Sequence, residues 1–153
     1  MRHASGVTRT ITSLVGGTAV PGSDERADLN PSDTSDVVRL VELADAQVAS
    51  DALDAARQAL PAWSSSTPWQ RAEVLNRAGA EVLARADELG DLLAREEGKT
   101  LPEARGEVVR AGQILTYFAG AAMMPHGQVL DSVRPGIEVT VTREPLGVVS
   151  VIT

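Results

Sequence analysis

Pro125 divides this sequence into two parts in which the hydrophobic residues repeat with different periods. Before it, from Asp45 onwards, apolar residues recur every three to four positions, which predicts amphipathic helices. After it, residues 137–142 (IEVTVT) alternate between apolar and polar side chains and predict a strand with one wet face. Residues 146–152 (LGVVSVI) are almost entirely apolar, as in a strand covered on both faces. The sequence therefore predicts a mixed α/β chain whose last strand needs partners on both edges.

Four helices are predicted between Asp45 and Pro125. The second and fourth each begin with a capping box, in which a threonine is followed three positions later by Gln or Glu. The predicted boundaries are Asp45 and Pro61 for the first helix, Thr67 with Gln70 for the start of the second, Asp87 and Gly98 for the third, and Thr100 with Glu103 and Pro125 for the fourth. We expect the helices to bury their larger apolar side chains against one another, namely Val48, Leu60, Val74, Leu75, Val82, Leu92, Val108 and Leu115.

The first 36 residues are rich in Gly, Ser, Thr and Asp and predict turns and short strands. Residues 11–20 predict two strands around Gly16 and Gly17, because this pair can adopt the positive φ of a hairpin turn. Residues 30–34 (NPSDT) predict a turn, and residues 37–41 predict a further short strand. The polar and glycine residues within 11–20 make this stretch a poor export signal.

Charge and residue usage exclude several classes of function. The 153-residue chain has 14 basic and 21 acidic side chains and a net charge of −7, so it lacks the cationic face that binds nucleic acids or anionic membranes. No stretch approaches the roughly 18–20 apolar residues that span a bilayer. Cysteine is absent, which excludes a thiol nucleophile, a disulfide scaffold and a cysteine-ligated metal. These features predict a cytoplasmic protein with no nucleic-acid partner and no membrane partner.

Residue types and spacing identify no catalytic residue and no metal ligand. Residues 98–100 (GKT) match the end of a phosphate-binding loop, but the glycine required five positions earlier is Leu93 and no strand precedes the motif. We interpret the motif as the end of one helix followed by the cap of the next. The two histidines, His3 and His126, lack ligand spacing and predict surface or capping roles.

Several segments, in the right order, resemble the aldehyde dehydrogenase superfamily. Residues 143–149 (REPLGVV), running into residues 151–153 (VIT), are similar to the entry of that family's first Rossmann-like strand. The other segments that carry the resemblance are 56–63 (ARQALPAW), 71–75 (RAEVL), 96–104 (EEGKTLPEA), 107–108 (EV) and 117–119 (YFA). Residues 30–38 (NPSDTSDVV) are most similar to the α-ketoglutaric semialdehyde dehydrogenase branch. The resemblance covers about residues 11–153.

The resemblance implies an α/β fold and a division of the chain. We expect an N-terminal helical layer and the first strand of a Rossmann-type cofactor domain, with one β-hairpin arm. The implied divisions are residues 1–44, an N-terminal segment with short strands; 45–125, the helical part of the NAD(P)-binding domain; 126–145, a hairpin arm through which the protein forms a homo-oligomer; and 146–153, the first strand of the sheet.

The resemblance also implies a function for a longer protein, of which this chain is expected to be the N-terminal piece. Family members oxidise an aldehyde, with 2,5-dioxopentanoate as the candidate here, using a cysteine thiolate and NAD or NADP. Only Ile152 and Thr153 carry over to the cofactor site, as the end of a strand that lines it. Because the chain has no cysteine, we expect it to be inactive and to bind neither nucleotide by itself. The alternative is a free-standing helical domain used for binding or regulation.

Overall fold

A computed structural model describes residues 10–153 of the chain, and His3 lies outside them. Along the chain, five short strands come first, four helices follow, and two strands come last. The N-terminal strands are β1 (Thr10–Ile11), β2 (Ser13–Val15), β3 (Thr18–Val20), β4 (Asp24–Leu29) and β5 (Val37–Leu43). The helices are α1 (Ala46–Ser64), α2 (Pro68–Ala84), α3 (Ala86–Glu97) and α4 (Leu101–Ala121), and the last strands are β6 (Gln128–Asp131) and β7 (Glu138–Val141).

The N-terminal strands form two sheets. β2 and β3 are the predicted hairpin, turned by Gly16 and Gly17 at φ values of 57° and 83°. β5 is the central strand of a second sheet in the order β1-β5-β4, with β1 parallel and β4 antiparallel to it. The prediction of strand at residues 37–41 is therefore confirmed, whereas β4 was not predicted. Its polar sequence, DERADL, has no alternating pattern, and it becomes a strand by pairing with β5.

Most of the predicted helix boundaries are confirmed, because they depend on local hydrogen bonds. Thr67 accepts a bond from the Gln70 N–H at 3.2 Å, and the Gln70 side chain accepts the Thr67 N–H at 2.8 Å. The Glu103 carboxylate accepts both the N–H and the hydroxyl of Thr100, at 3.2 and 2.6 Å. These bonds lower the pKa of Glu103, with the hydroxyl bond contributing most. Gly98 closes α3 in the left-handed conformation, at a φ of 73°.

Three predicted boundaries are wrong. The fourth helix does not reach Pro125, because α4 ends at Ala121. Pro61 does not end the first helix but lies inside α1, which continues to Ser64. Proline lacks an N–H and its ring crowds the preceding turn, but the Pro61 carbonyl still accepts the N–H and the hydroxyl of Ser65, at 3.2 and 2.9 Å. Asp87 does not cap the third helix but lies in its first turn, since α3 begins at Ala86. There its charge faces the positive end of the helix dipole.

α2 and α4 pack closely against each other through small residues. Val108 is buried as predicted, but its buried neighbours are alanines and glycines, and the predicted core residue Val74 is 43% exposed. The other buried helical residues are Ala72, Gly79, Gly90, Ala104, Gly112 and Ala119. At the contact of α2 with α4, an added Cβ at Gly79 would lie only 3.0 Å from the Gly112 carbonyl oxygen. The helices are thus in backbone contact, which leaves no room for larger side chains between them.

This contact makes a prediction about stability. Gly79→Ala adds a methyl group 2.9 Å from the Thr116 hydroxyl oxygen and against the backbone of α4. The gain in helix propensity, about 1 kcal/mol, is outweighed by overpacking of about 1–3 kcal/mol, so we expect a net loss of about 1 kcal/mol. Gly106→Ala is the matched control, because nothing lies within 4 Å of its added Cβ, and it should gain about 0.5–1 kcal/mol. Urea unfolding followed by helical circular dichroism measures the free energy of unfolding of both variants. An equal increase in both would contradict the close contact at Gly79.

The strands after α4 form a sheet of their own. β6 and β7 pair only with each other in the described chain, Gln128 opposite Val141, and every residue of both strands is exposed. Residues 146–152, which were predicted to form a buried strand, have no regular secondary structure. A strand exists through its hydrogen-bonded neighbours, and the described residues supply none here. Within residues 10–153, no helix combines the length and apolar character needed to cross a bilayer.

Candidate functional site

The two residues predicted to reach a cofactor are not brought together with any other candidate group. Ile152 is 94% exposed, and Thr153 beside it is exposed as well. Neither makes a hydrogen bond to the rest of the described chain. A dinucleotide site needs a tight glycine turn and a helix N-terminus for the pyrophosphate. The assignment of Ile152 and Thr153 to a cofactor site therefore stays a prediction.

A polar junction attaches the N-terminal sheet to α3. Arg95 on α3 binds Asp36, just before β5, through two parallel bonds of 2.9 and 2.7 Å. This hydrogen bonding raises the pKa of Arg95 above its usual value. Nearby, Arg39 on β5 pairs with Asp28 on β4 and with Glu96 on α3. Since the Arg95 and Asp36 side chains are both less than a third exposed, their fork-to-fork geometry fixes where the sheet lies on the helix.

The glycine–lysine–threonine motif has the structural role that the sequence indicated. Gly98 ends α3 and Thr100 caps α4, while the Lys99 ammonium lies 2.5 Å from Glu97 and 2.8 Å from Glu107. These carboxylates raise the pKa of Lys99, with the bond to Glu107 contributing most. An ammonium held between two carboxylates is not available to a phosphate. Within the described residues, no group of three potential metal ligands occurs either.

A groove near the end of α1 brings two arginines and a histidine together. It has a volume of about 370 Å³ and is lined by Trp63, Ser64, Arg71, His126, Arg143 and Pro145. Arg71 donates from one Nη to the Ser66 carbonyl oxygen, and the His126 ring donates from Nε2 to the Ala122 carbonyl oxygen at 2.9 Å. His126 thus has the predicted capping role at the end of α4. Sequence reasoning did not identify this groove, because its residues are up to 82 positions apart.

The chain exposes far more surface than a closed domain of its mass. Its accessible area is 11885 Å², whereas a folded monomer of 16.1 kDa has about 7400 Å² by the usual scaling. Large apolar side chains account for part of this area in both the N-terminal and the C-terminal parts of the described chain. The most exposed of them are Leu14, Tyr117, Val129, Val133, Leu146, Val151 and Ile152. A surface of this size and character is typical of a unit that packs against further protein.

Comparison with known proteins identifies the family of the chain. Residues 20–153 match the aldehyde dehydrogenase family, and the chain belongs to this family. It is 39% identical over 124 residues to the alpha-ketoglutaric semialdehyde dehydrogenase of Bacillus subtilis, covering 81% of this chain and 25% of the relative. It is 35% identical to the malonate-semialdehyde dehydrogenase of Pseudomonas aeruginosa, covering 94% and 29%. The chain thus spans between a quarter and a third of the length of these relatives.

Solved structures show the same fold. The crystal structure of an aldehyde dehydrogenase from Brucella melitensis biovar abortus superposes with a TM-score of 0.83 at 30% identity, covering 88% of this chain and 28% of the other. A betaine aldehyde dehydrogenase from Staphylococcus aureus, solved in complex with NAD+, gives 0.81 at 26% identity over 88% and 27%. The predicted α/β class and the predicted family are therefore both confirmed.

Proposed function

We propose that this chain is the N-terminal portion of an NAD(P)-dependent aldehyde dehydrogenase that oxidises 2,5-dioxopentanoate in the cytoplasm. The observation that carries the proposal is the exposure of residues 146–152, an apolar run that follows the hairpin arm with no partner among the described residues. The alternative of a free-standing helical domain predicts a closed surface, and an area of 11885 Å² does not favour it. The proposed substrate rests on the 39% identity to the Bacillus subtilis enzyme.

In this proposal the chain supplies support for the reaction and no reacting group. The polar junction and the glycine contact between α2 and α4 hold the helical layer in one arrangement. Residues 146–153 become the first strand of the cofactor sheet when neighbouring strands pair with them, and Ile152 and Thr153 then lie at the cofactor. The thiolate nucleophile comes from outside this chain, because the chain has no cysteine. NAD or NADP accepts the hydride when bound to the completed enzyme.

The hairpin arm, residues 126–145, is proposed as the element through which the enzyme forms a homo-oligomer. Its strands β6 and β7 contribute exposed apolar side chains, among them Val129 and Leu130 on β6 and Val139 and Val141 on β7. Both outer edges of this two-stranded sheet are unpaired in the described chain. Open edges and apolar faces are the features by which strands add to another chain.

A chimera tests the proposed function directly. Residues 20–153 replace the matching segment of the Bacillus subtilis enzyme, and the product is assayed for oxidation of 2,5-dioxopentanoate by following nicotinamide reduction. We expect a rate of the same order as that of the unmodified enzyme, because the replaced segment contains no reacting group. The host enzyme without that segment is the matched control and should be inactive. A folded chimera without oxidation would contradict the proposal.

A separate test asks what the DNA encodes after the Thr153 codon. In the family that this sequence resembles, the strand that includes Thr153 is followed by a Pro-Trp-Asn turn. The DNA after the Thr153 codon should therefore encode Pro-Trp-Asn in one of its frames. A different continuation in all frames would favour the free-standing domain.

A further inference from the structure

We propose that the groove between the end of α1 and the base of the hairpin arm binds a small organic oxyanion, a phosphate or carboxylate attached to a flat apolar group. This inference does not depend on the proposed dehydrogenase function. The groove lies where the turn after α1 comes close to both ends of the arm. Its walls are provided by Trp63 and Ser64 at the end of α1, Arg71 on α2, His126 before β6, and Arg143 with Pro145 after β7.

The charge of the groove is opposite to that of the whole chain. The net charge of the protein is −7, yet the lining residues include two arginines and a histidine and no carboxylate among the described residues. Arg143 makes no ion pair and no hydrogen bond within residues 10–153, unlike Arg39 and Arg95 in the polar junction. A guanidinium group with its donors unused is suited to bind an oxyanion through two parallel bonds. Arg143 is therefore the primary anion contact.

The other groups in the groove are held in place by the protein. Arg71 is partly buried and bonds to the turn at Ser66, through its carbonyl oxygen and, at 3.3 Å, its hydroxyl. His126 is fixed by its bond to the Ala122 carbonyl oxygen. Because these side chains are already ordered, a ligand would not lose binding energy by ordering them. The volume of about 370 Å³ is within the range of small-molecule sites.

The apolar part of the proposed ligand follows from Trp63. Trp63 is 49% exposed and lines the groove. An exposed indole favours stacking with a flat ring. The charged and apolar walls together select an aromatic phosphate or an aromatic carboxylate over a bare inorganic ion.

The test uses the two tryptophans of the chain. In a Trp69→Phe background, the emission of Trp63 is followed during titration of the 153-residue protein with phenyl phosphate, benzoate and inorganic phosphate at constant ionic strength. We expect a saturable change with phenyl phosphate or benzoate, and the tighter of the two identifies the preferred oxyanion. Inorganic phosphate alone should bind more weakly than phenyl phosphate.

Charge variants decide whether the groove is the site. Arg143→Gln should weaken binding about tenfold, and Arg143→Lys less, because it keeps the charge but loses the fork. Arg134→Gln, in the turn between β6 and β7, removes the same charge from the same arm and should change the affinity less than twofold. Absence of a saturable change with both aromatic probes, or equal weakening by Arg143→Gln and Arg134→Gln, would overturn the proposal. Helical circular dichroism of each variant confirms that its fold is unchanged.

Discussion

The purified 153-residue chain is expected to oxidise no aldehyde with NAD+ or NADP+. Its sequence has no cysteine, and the chemistry proposed for the complete enzyme begins with a thiolate. Loss of a nucleophile reduces enzymatic rates by several orders of magnitude, so the rate should fall to that of the uncatalysed reaction. The measurement is nicotinamide absorbance with 2,5-dioxopentanoate and with a simple aliphatic aldehyde.

Two controls make this result decisive. The Bacillus subtilis relative, assayed beside the chain, shows that the substrate and the cofactor are competent. Calorimetry with NAD and with NADP should show no saturable heat, since Ile152 and Thr153 alone do not supply the glycine turn and the helix N-terminus that a dinucleotide site needs. Turnover that persists at constant specific activity through repeated purification would refute the expectation.

Deletion of residues 128–153 is expected to raise solubility and to leave most of the helical circular dichroism in place. The deleted residues include both exposed strands of the arm and the apolar run, and of the groove beside α1 and α2 they contribute Arg143 and Pro145. An isolated pair of strands is marginally stable in water, and its open edges promote association between chains. The full chain should therefore sediment as larger species than the truncated chain at the same concentration.

A second variant separates the effect of chain length from that of the apolar strand. Val139→Lys together with Val141→Lys keeps all residues of the arm but places two charges on β7. Charged residues on exposed strands reduce edge-to-edge association, so this variant should also sediment as smaller species. Loss of the helical signal in the truncated chain would instead show that the arm stabilises the helices.

The parts of the fold that could be predicted are those fixed by neighbouring residues. The capping boxes at Thr67 and Thr100, the left-handed Gly98 and the hairpin turn at Gly16 all depend on bonds or dihedral angles within a few positions. Such features need no knowledge of the tertiary structure. The family was recognised in the same way, from short segments in the right order.

The core could not be predicted in the same way, because it depends on which helices approach each other. Val74 has the spacing of a core residue but is 43% exposed, whereas Gly79 on the same helix is buried. Hydrophobic periodicity indicates the inner face of a helix, but it does not indicate how closely the next helix packs. Where two backbones touch, as at Gly79 and Gly112, small residues are buried and larger ones are displaced to the rim.

Long-range pairing explains the remaining differences. β4 forms because β5 is beside it, although its own sequence is polar, and residues 146–152 lack strand structure because nothing described pairs with them. The groove beside Trp63 was not predicted for a related reason. Trp63, Arg71 and Arg143 meet only when the arm folds back to the end of α1.

The close packing of α2, α3 and α4 has a consequence for synthesis of the protein on the ribosome. These three helices occupy one continuous stretch, from Pro68 to Ala121, and their contacts join segments that are near in sequence. Translation proceeds at about 5–20 residues per second, so this stretch emerges within about ten seconds and can pack before the arm has left the exit tunnel. The three helices would then be folded before the exposed strands of the hairpin arm, β6 and β7, leave the ribosome.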